Sequence, residues 1–371
     1  MALRVLLIGA GGVFGSSIAR RLAHDPRFAL TLAGRRSAPL QALCKTLGDA
    51  SVRFATLDTT AARLDDALGR LRAQLVIHTA GPFQAQDYRV AEACLACNSD
   101  YIDLADGREF VCGFAQLDQR ARAAGRLLIS GASSVPALSA AVVDALLPRF
   151  RTLECIEHAI SPGNHTERGA ATVAAILGYC GRPIRVWRDG RWQQARGWLD
   201  GKRQSFPCGR RRTGVCEVPD LSLFPLRYPD VRSVVFRAGL ELPLLNVGLV
   251  CLASLVRFGV IHNLAAWAPA LRRLSEYFKR WGTDRGGMVV ELAGTGTDGA
   301  PLRLRWWLDA AAGVGPQVPT TAAVVLAQQL ADGRLTAQGA MPCVGLLTLD
   351  QWLDGFAGCD LRTGVETLER A

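Results

Sequence analysis

The sequence predicts an α/β protein in which a doubly wound parallel sheet is followed by a second, α+β domain. Three observations lead to this prediction. Short apolar runs alternate with helical patterns over residues 1–148, a glycine-rich turn follows the first run, and the pattern changes beyond residue 148. The 371 residues are 49% hydrophobic and 20% charged, a composition that excludes disordered and collagen-like chains.

The elements of the first part follow from their own residues. The strands are uniformly apolar, as in a parallel sheet covered on both faces. In the second helix, Ser37 is placed to cap the first turn, and Pro39 lies within that turn. We predict strands at residues 3–9, 28–34, 52–57, 75–81, 101–105 and 127–130, and helices at 13–23, 37–47, 61–72, 86–97 and 110–124.

The second part, from residue 149 to about residue 320, is denser in glycine, proline and arginine. Residues 208–212 form a basic segment that is typical of a turn, and residues 296–301 separate two strand patterns as in a hairpin. We predict strands at residues 153–160, 184–188, 231–236, 289–295 and 302–308, and a helix at 320–330.

The charge and the cysteines bear on partners and compartment. A formal charge of +10 favours anionic partners, although the arginine usage of a GC-rich genome gives the same excess. The arginine run at residues 210–212 has no interleaved aromatic residues, so we expect no nucleic-acid partner. Eleven cysteines without an export signal indicate the reducing cytoplasm. Cys94 and Cys97 have no second ligand pair at zinc spacing, so we expect no metal.

A glycine-rich turn between the first strand and the first helix is the strongest motif. Gly9, Gly12 and Gly15 form a G-x-x-G-x-x-G pattern, and Val13 and Phe14 open the helix. A pyrophosphate binds to backbone N–H groups at the positive end of a helix, and glycines let it approach. The pattern predicts a Rossmann-type dinucleotide site, with a purely structural turn as the alternative.

The residues after the second strand indicate which dinucleotide binds. A site that prefers NAD usually carries an acid here, whereas this chain has Arg35 and Arg36. A guanidinium can bind a 2′-phosphate through two hydrogen bonds, so we expect NADP(H), with a solvated basic loop as the alternative. Asp58, after the third strand, is placed either to accept from the adenine amino group or to cap the next helix.

The fourth strand ends in small residues, Thr79, Ala80 and Gly81, followed by Pro82. Small side chains let the backbone lie against the ribose and nicotinamide of a dinucleotide. Pro82 ends the strand, and we expect the ring of Phe83 to form a wall beside the nicotinamide.

Polar residues after the fifth and sixth strands are the candidate catalytic groups. Asp106, Arg108 and Glu109 are placed to orient a polar substrate or to move a proton, or Asp106 and Glu109 cap a helix instead. Ser133 and Ser134 are candidates for binding the carboxamide or a substrate oxygen, with helix capping as the alternative.

A polar loop in the second part is a further candidate. His158 and His165 flank residues 161–164, and Arg168 follows them. The loop would supply a histidine acid or an arginine clamp above the nicotinamide, and an ordinary surface loop is the favoured alternative.

Three segments together resemble a known family. GAGGVFGSSIARRL, TLAGRR and HTAGPFQAQDYRVAEACLACNSDYIDLADGREF are similar to the saccharopine dehydrogenase-like family of the NADP-binding type. The resemblance covers about residues 3–145, and residues 339–350 extend it more loosely. It implies a Rossmann domain at 1–148, an inserted substrate and dimerisation domain at 149–320, and a C-terminal segment at 321–371 that packs back on the Rossmann domain.

The resemblance also implies a cofactor and a class of reaction. NADP(H) would bind at Gly9, Gly12 and Gly15, with Arg35 on the 2′-phosphate. The family's saccharopine reductases have an Asp-Pro-Gly loop after the sixth strand, whereas this chain reads ASSVPA. That departure disfavours an amino-acid substrate, and looser relatives include enoyl reductases that act on lipid-like chains. By the same analogy we expect a homodimer.

The sequence thus predicts an NADPH-dependent oxidoreductase that transfers hydride to a small-molecule carbonyl, imine or enoyl substrate. A non-catalytic NADP-binding sensor or structural subunit is one alternative, and a lipid-interface protein is another. The latter rests on residues 242–260, a strongly apolar segment that is predicted to be a buried or interface helix, or a weak peripheral membrane contact.

Overall fold

The computed structural model describes residues 2–167, 169–357 and 359–368. Its strands are β1 (Leu3–Ile8), β2 (Phe28–Gly34), β3 (Arg53–Thr56), β4 (Leu75–His78), β5 (Asp100–Asp103), β6 (Leu127–Ser130), β7 (Phe150–Ser161), β8 (Pro183–Arg188), β9 (Arg191–Arg196), β10 (Lys202–Phe206), β11 (Gly209–Val215), β12 (Ser233–Gly239), β13 (Gly286–Gly296), β14 (Pro301–Ala310), β15 (Gly339–Pro342) and β16 (Leu361–Thr367). Its α-helices are α1 (Val13–Leu22), α2 (Ser37–Leu47), α3 (Leu64–Leu71), α4 (Arg89–Ala96), α5 (Arg108–Gly113), α6 (Asp118–Ala123), α7 (Ser139–Leu146), α8 (Ala170–Tyr179), α9 (Asp220–Arg227), α10 (Pro243–Arg257), α11 (Ala268–Glu276), α12 (Thr321–Ala331) and α13 (Leu349–Asp354).

The chain divides into two units, and the first of them contains the parallel sheet. This unit runs to Leu138 and resumes over Pro316–Gly355. Its seven strands lie in the order β15-β6-β5-β4-β1-β2-β3, and every neighbouring pair is parallel. The predicted α/β fold is therefore confirmed. The strand order reverses between β1 and β4, which is where doubly wound sheets bind their ligands.

The apolar patterns of the first part place its core. All four residues of β4 and all four of β6 are buried, as expected for strands covered on both faces. On α1, Ile18, Ala19 and Leu22 form the buried stripe that faces the sheet. Gly48, with a φ of 68°, ends α2 in the left-handed conformation that glycine adopts without a steric penalty.

The second unit is a mixed sheet with helices. It comprises Ser139–Gly315 and the residues from Phe356 onward. The strand order is β10-β11-β12-β7-β13-β14-β16, with β8 beside β12 and β9 beside β8. β7 and β12 are parallel, and β13 and β14 form the predicted hairpin, in which Thr295 pairs with Pro301. This unit is the predicted second, mixed domain.

The observed boundaries and elements differ from the predicted ones at several places. α7, within the predicted first domain, belongs to the second unit, and β16 pairs with β14 there rather than returning to the parallel sheet. The basic segment at residues 208–212 lies mainly in β11, because its side chains alternate across a strand. The predicted helix at 110–124 is α5, a short 3-10 turn at Phe114–Leu117, and α6. β9, β10, β15 and β16 were not predicted.

Candidate functional site

The carboxyl edge of the parallel sheet carries the predicted site residues. Loops that follow parallel strands meet at this edge of a doubly wound sheet. The turns after β1 to β6 carry, in that order, residues 9–15, Arg35 and Arg36, Asp58, residues 79–82, Asp106 with Arg108, and Ser134. The structure therefore places the predicted cofactor and catalytic residues along one edge of one sheet.

The glycine turn after β1 has no room for side chains at two of its positions. Gly9 has a φ of +83°, and a Cβ there would lie 2.6 Å from Oγ1 of Thr79. A Cβ on Gly15 would lie 2.3 Å from the carbonyl oxygen of Gly9, so α1 passes too close to β1 for any other residue. These two glycines therefore serve the tight turn and the helix–strand packing that a dinucleotide fold requires.

The amino end of α1 is open to an anion. Gly12 is the N-cap residue, in an extended conformation and without a side-chain cap, and the first turn of the helix holds no acid. Gly11 and Gly12 are exposed, and Val13 and Phe14 are half-buried. The first N–H groups of a helix have no partner within the helix, so a pyrophosphate can reach them here. The residues present fit a dinucleotide.

The turns after β2 and β3 present charge beside the glycine turn. Arg35 and Arg36 are both exposed. Oδ1 of Asp58 accepts hydrogen bonds from the N–H (2.9 Å) and the hydroxyl (2.8 Å) of Thr60. These bonds and the charge of Arg35 lower the pKa of Asp58. Because α3 begins only at Leu64, Asp58 does not cap that helix, and its predicted role toward adenine stays a prediction.

The turn after β4 is held in place by its own hydrogen bonds. The hydroxyl of Thr79 donates to the carbonyl of Ile8 at 2.9 Å. The side-chain amide of Gln86 donates to the carbonyls of Ala80 (2.8 Å) and Pro82 (2.9 Å). Residues 79–81 are half-buried and Pro82 is exposed, so the backbone of this turn is fixed and accessible.

Phe83 is not the wall that the sequence predicts. Its side chain is only 4% exposed. The ring packs edge-on against His78, with 5.1 Å between centroids, and lies 5.3 Å from Phe110. Phe83 therefore belongs to an aromatic cluster in the interior of the first unit.

Asp106 is the half-buried carboxyl at this edge. The side-chain amide of Gln84 donates to its Oδ1 at 3.0 Å. Burial raises the pKa of Asp106, and the Gln84 hydrogen bond opposes that rise. Gly107 is the N-cap of α5 and no side chain caps this helix, so Asp106 is not engaged as a cap. Arg108 is half-buried and Glu109 is exposed.

Ser134 opens a short helical turn, Ser134–Leu138, after β6. It is 8% exposed, and its neighbour Ser133 is 9% exposed. The N–H of Leu138 bonds to the carbonyl of Ser133 at 3.3 Å. The two hydroxyls therefore lie beneath the surface, and the role predicted for them stays a prediction.

Asp103, at the end of β5, is a residue of this edge that the prediction missed. It is completely buried. Its Oδ1 accepts from the N–H of Ala105 (2.9 Å), the hydroxyl of Ser130 (3.0 Å) and the N–H of Gly131 (2.8 Å). One oxygen atom thus holds the turns after β5 and β6 together. An acid that directly follows the apolar pair Tyr101 and Ile102 at the carboxyl end of a strand is the signal that could have identified it.

Burial dominates the electrostatics around Asp103. It raises the pKa of this carboxyl to about 6, although the three hydrogen bonds and the hydroxyl of Tyr101 lower it. Behind it, Nδ1 of His78 lies 3.0 Å from the hydroxyl of Tyr101. Burial lowers the pKa of His78 to about 4, so its imidazole is neutral at pH 7. These groups are too deeply buried to meet a ligand and instead position the turns at the surface.

The polar loop of the second unit has a structural role. His158 lies in β7, buried, with Nε2 3.1 Å from Oδ1 of Asp220. The amide of Asn164 donates to the carbonyls of Phe278 (2.7 Å) and Trp281 (2.9 Å). Asn164 is buried, so this segment is a buried structural corner rather than the ordinary surface loop that was the favoured alternative. His165 is exposed, and the predicted clamp Arg168 lies outside the described residues.

The described residues add two negative findings. No group of three or more histidine, cysteine or acidic side chains among them is arranged to hold a metal ion. No helix among them has the length and apolar character needed to cross a membrane.

Comparison with known proteins agrees with this geometry. Residues 5–129 match the family model of the saccharopine dehydrogenase NADP binding domain. The resemblance found in the sequence is confirmed over these residues, about a third of the chain, and it supports NAD(P) binding by this part of the first unit. No curated protein sequence matches the chain.

Two solved structures share the fold over almost the whole chain. Saccharopine dehydrogenase (L-Glu forming) from Saccharomyces cerevisiae has a TM-score of 0.72 at 14% identity, over 99% of this chain and 100% of that one. Homospermidine synthase from Legionella pneumophila, in complex with NAD, has a TM-score of 0.65 at 10% identity, over 99% of this chain and 92% of that one. At these identities the likeness concerns the fold alone.

Proposed function

We propose that this chain is an NADPH-dependent oxidoreductase of the saccharopine dehydrogenase-like type, acting on a carbonyl, imine or enoyl carbon. The preference for NADPH over NADH rests on the residues that follow β2. Arg35 and Arg36 are exposed there, and no acid lies between Gly34 and Leu40. A site that prefers NAD usually carries a carboxylate at this position for the ribose hydroxyls, whereas a guanidinium binds a 2′-phosphate.

Different residues of the first unit would bind different parts of the cofactor. The N–H groups at the start of α1 bind the pyrophosphate, and Arg35 binds the 2′-phosphate. Thr79 and the turn that Gln86 clamps support the nicotinamide end. When bound, the nicotinamide supplies the hydride, and the chain must hold the accepting carbon close to it and exclude water.

Asp106 is the group we assign to the proton that accompanies the hydride. It is half-buried at the carboxyl edge, and burial raises its pKa, which favours the protonated form that a proton donor needs. The Gln84 amide, 3.0 Å from Oδ1, fixes the orientation of the carboxyl group. Arg108, half-buried two residues further on, is placed to orient a polar substrate.

Titration with reduced nucleotides, followed by nicotinamide fluorescence, tests the cofactor assignment. We expect wild-type protein to bind NADPH more tightly than NADH. Arg35→Glu should weaken NADPH about tenfold to a hundredfold, the value of a hydrogen-bonded charge pair, with a much smaller effect on NADH. Arg53→Glu is the matched control, because Arg53 is exposed at the opposite end of β3.

Equal weakening of both nucleotides by Arg35→Glu would refute the phosphate contact, and no binding of either would refute the cofactor assignment. Consumption of NADPH with a panel of carbonyl, imine and enoyl compounds tests the activity. Tight NADPH binding without any turnover across the panel would favour the non-catalytic sensor or subunit instead.

Compartment and assembly are part of the proposal. No disulfide joins the cysteines of the described residues, which suits the reducing cytoplasm. A homodimer is the assembly we expect, and light scattering of the purified protein would measure it.

A further inference from the structure

Exposed apolar side chains are concentrated in one segment of the second unit. Of the thirteen large apolar side chains that are exposed in the described part of the chain, nine lie between residues 244 and 281. The α10–α11 surface consists of Leu244, Val247, Leu255, Phe258, Val260, Trp267, Leu274, Tyr277 and Trp281. Such a concentration in one segment favours an interaction surface, because isolated exposed apolar residues would be scattered over the whole chain.

α10 turns an apolar stripe toward solvent. Leu244, Val247, Cys251 and Leu255 are exposed and follow one another at intervals of three or four residues, so they share one face of the helix. Phe258, at the end of the helix, continues the stripe and is 75% exposed. A helix that faced only water would carry polar residues on this face.

The residues around α11 add amphipathic aromatic rings. Trp267 and Leu274 are seven residues apart and therefore lie on the same face, and both are about half-exposed. Tyr277 and Trp281 follow the helix, with exposures of 71% and 56%. Tryptophan and tyrosine are enriched where one end of the ring meets hydrocarbon and the other meets water.

The same segment carries an excess of positive charge. Residues 242–282 contain five arginine and lysine residues, one histidine (His262) and one acid, Glu276. Glu276 is already shared, since it lies 2.6 Å from Lys279 and 4.0 Å from Arg272. The basic residues are Arg257, Arg272, Arg273, Lys279 and Arg280.

This charge argues against a second copy of the chain as the occupant. In a two-fold dimer the same patch meets itself, so a segment with a formal net charge of +4, five basic residues less Glu276, would face an equal charge. Juxtaposed like charges disfavour such an interface strongly. A surface of opposite charge removes this conflict, and the formal charge of +10 on the whole chain adds to the attraction.

Hydrogen bonds hold both ends of the segment that carries the α10–α11 surface. Glu241, just before α10, accepts from the N–H of Asn164 (2.6 Å) and the N–H of Thr283 (2.9 Å). The amide of Asn164 donates to the carbonyls of Phe278 and Trp281. Both ends of the segment are therefore tied to the same corner of the second unit.

The length of α10 determines how it can meet a membrane. Its 15 residues span about 22 Å, less than the hydrocarbon core of about 30 Å. A helix of this length with an apolar stripe and basic neighbours lies in the interface plane.

We propose that the α10–α11 surface docks this protein on an anionic lipid bilayer. The apolar and aromatic side chains enter the headgroup boundary, and the five basic residues pair with lipid phosphates. The proposal is independent of the cofactor site, because every residue it uses belongs to the second unit.

Flotation of the full-length protein with vesicles tests the proposal. Vesicles of phosphatidylcholine with phosphatidylglycerol should carry the protein upward in the gradient, and vesicles of phosphatidylcholine alone should not. Phe258→Asp should weaken partitioning about tenfold or more, because the ring no longer enters the apolar region. The matched control is Leu226→Asp on α9, whose side chain is 83% exposed outside the α10–α11 surface.

Charge variants complete the test. Arg273→Glu and Arg280→Glu should each weaken partitioning about fivefold per unit of charge removed. Arg191→Glu, an exposed arginine of β9, should have a smaller effect. A wild-type circular dichroism spectrum and thermal unfolding curve establish that each variant is folded, and Leu274→Asp replaces Phe258→Asp if the latter does not fold.

Three results would overturn the proposal. The first is no flotation with either kind of vesicle. The second is binding that high salt removes and that Phe258→Asp and Leu274→Asp leave unchanged, since this would be electrostatic attraction alone. The third is a stable dimer by light scattering that Phe258→Asp converts to monomer without any effect on vesicles, which would identify the surface as a subunit interface.

Discussion

Replacement of Asp103 by asparagine should remove a pH-dependent cost of folding the first unit. The pKa of Asp103 rises from 3.8 to about 6 on folding because the carboxyl is buried. A carboxyl group whose pKa is raised by folding destabilises the folded state when it is ionised. This loss of folding free energy is absent below pH 4, grows between pH 4 and 6, and is complete above pH 6. A shift of this size corresponds to about 3 kcal/mol.

Asparagine is the informative replacement because it keeps the hydrogen bonds. Oδ1 of Asp103 accepts all three donors, from Ala105, Ser130 and Gly131, and an amide oxygen can accept the same three. The charge is lost, and an amide NH2 group takes the place of Oδ2, which is buried without a hydrogen-bond partner among the described residues. The cost of burying that group does not vary with pH. We therefore expect the difference in free energy of unfolding between Asp103→Asn and wild type to change by about 3 kcal/mol, in favour of the variant, from pH 4 to pH 7.

Urea unfolding followed by circular dichroism, at pH steps from 4 to 7, measures this difference directly. Other titrating groups, including His78 with its lowered pKa, are present in both proteins and cancel in the comparison. Asp65→Asn is the matched control, since Asp65 is exposed on α3 in the same unit and its replacement should leave no such pH dependence. Parallel stability curves for Asp103→Asn and wild type across this range would refute the reasoning.

Two further predictions concern packing. Gly15→Ala should destabilise the protein by about 3 kcal/mol and abolish NADPH binding, because its methyl group would lie 2.3 Å from the carbonyl oxygen of Gly9. Thermal unfolding and NADPH titration measure both effects, and Gly178→Ala, with no atom within 4 Å of the added methyl, should be neutral or slightly stabilising. Asp220→Ala should cost about 3 kcal/mol in urea unfolding, because the buried hydroxyl of Ser139 would lose its acceptor and Nε2 of His158, 3.1 Å from Oδ1, would lose its polar neighbour. A loss below about 1 kcal/mol would contradict that account.

Local chemistry made most of the first unit predictable. The apolar runs of β1, β2, β4 and β6 appear where their composition places them, since a strand buried on both faces needs no alternation to be recognised. The glycine turn was also predictable from its local sequence. The close approach of α1 to β1 leaves glycine as the sole residue that fits at Gly15, so the turn has to show itself as a glycine pattern.

Long-range pairing explains what was missed. β15 joins β6 although about two hundred residues separate them in the chain, and its four residues carry no strand pattern of their own. The sequence of β11 is typical of a basic turn. In the structure Arg211 is buried and donates hydrogen bonds to the carbonyls of Ser161 and Pro162. The partners that stabilise these strands lie far away in sequence, so no local window contains the signal.

The sequence predicted the residues of the candidate site that stand in surface turns. It did not predict the buried residue that holds those turns in place. Arg35 and Asp106 stand in turns, and their charge alone marks them as candidates. Asp103 was passed over because a buried acid is unusual, and its function depends on which backbone N–H groups reach it. Changes at Arg35 should therefore alter the preference between NADPH and NADH with little change in the free energy of unfolding. Changes at Asp103 should alter the free energy of unfolding first, and should affect cofactor binding only through the turns that Asp103 holds.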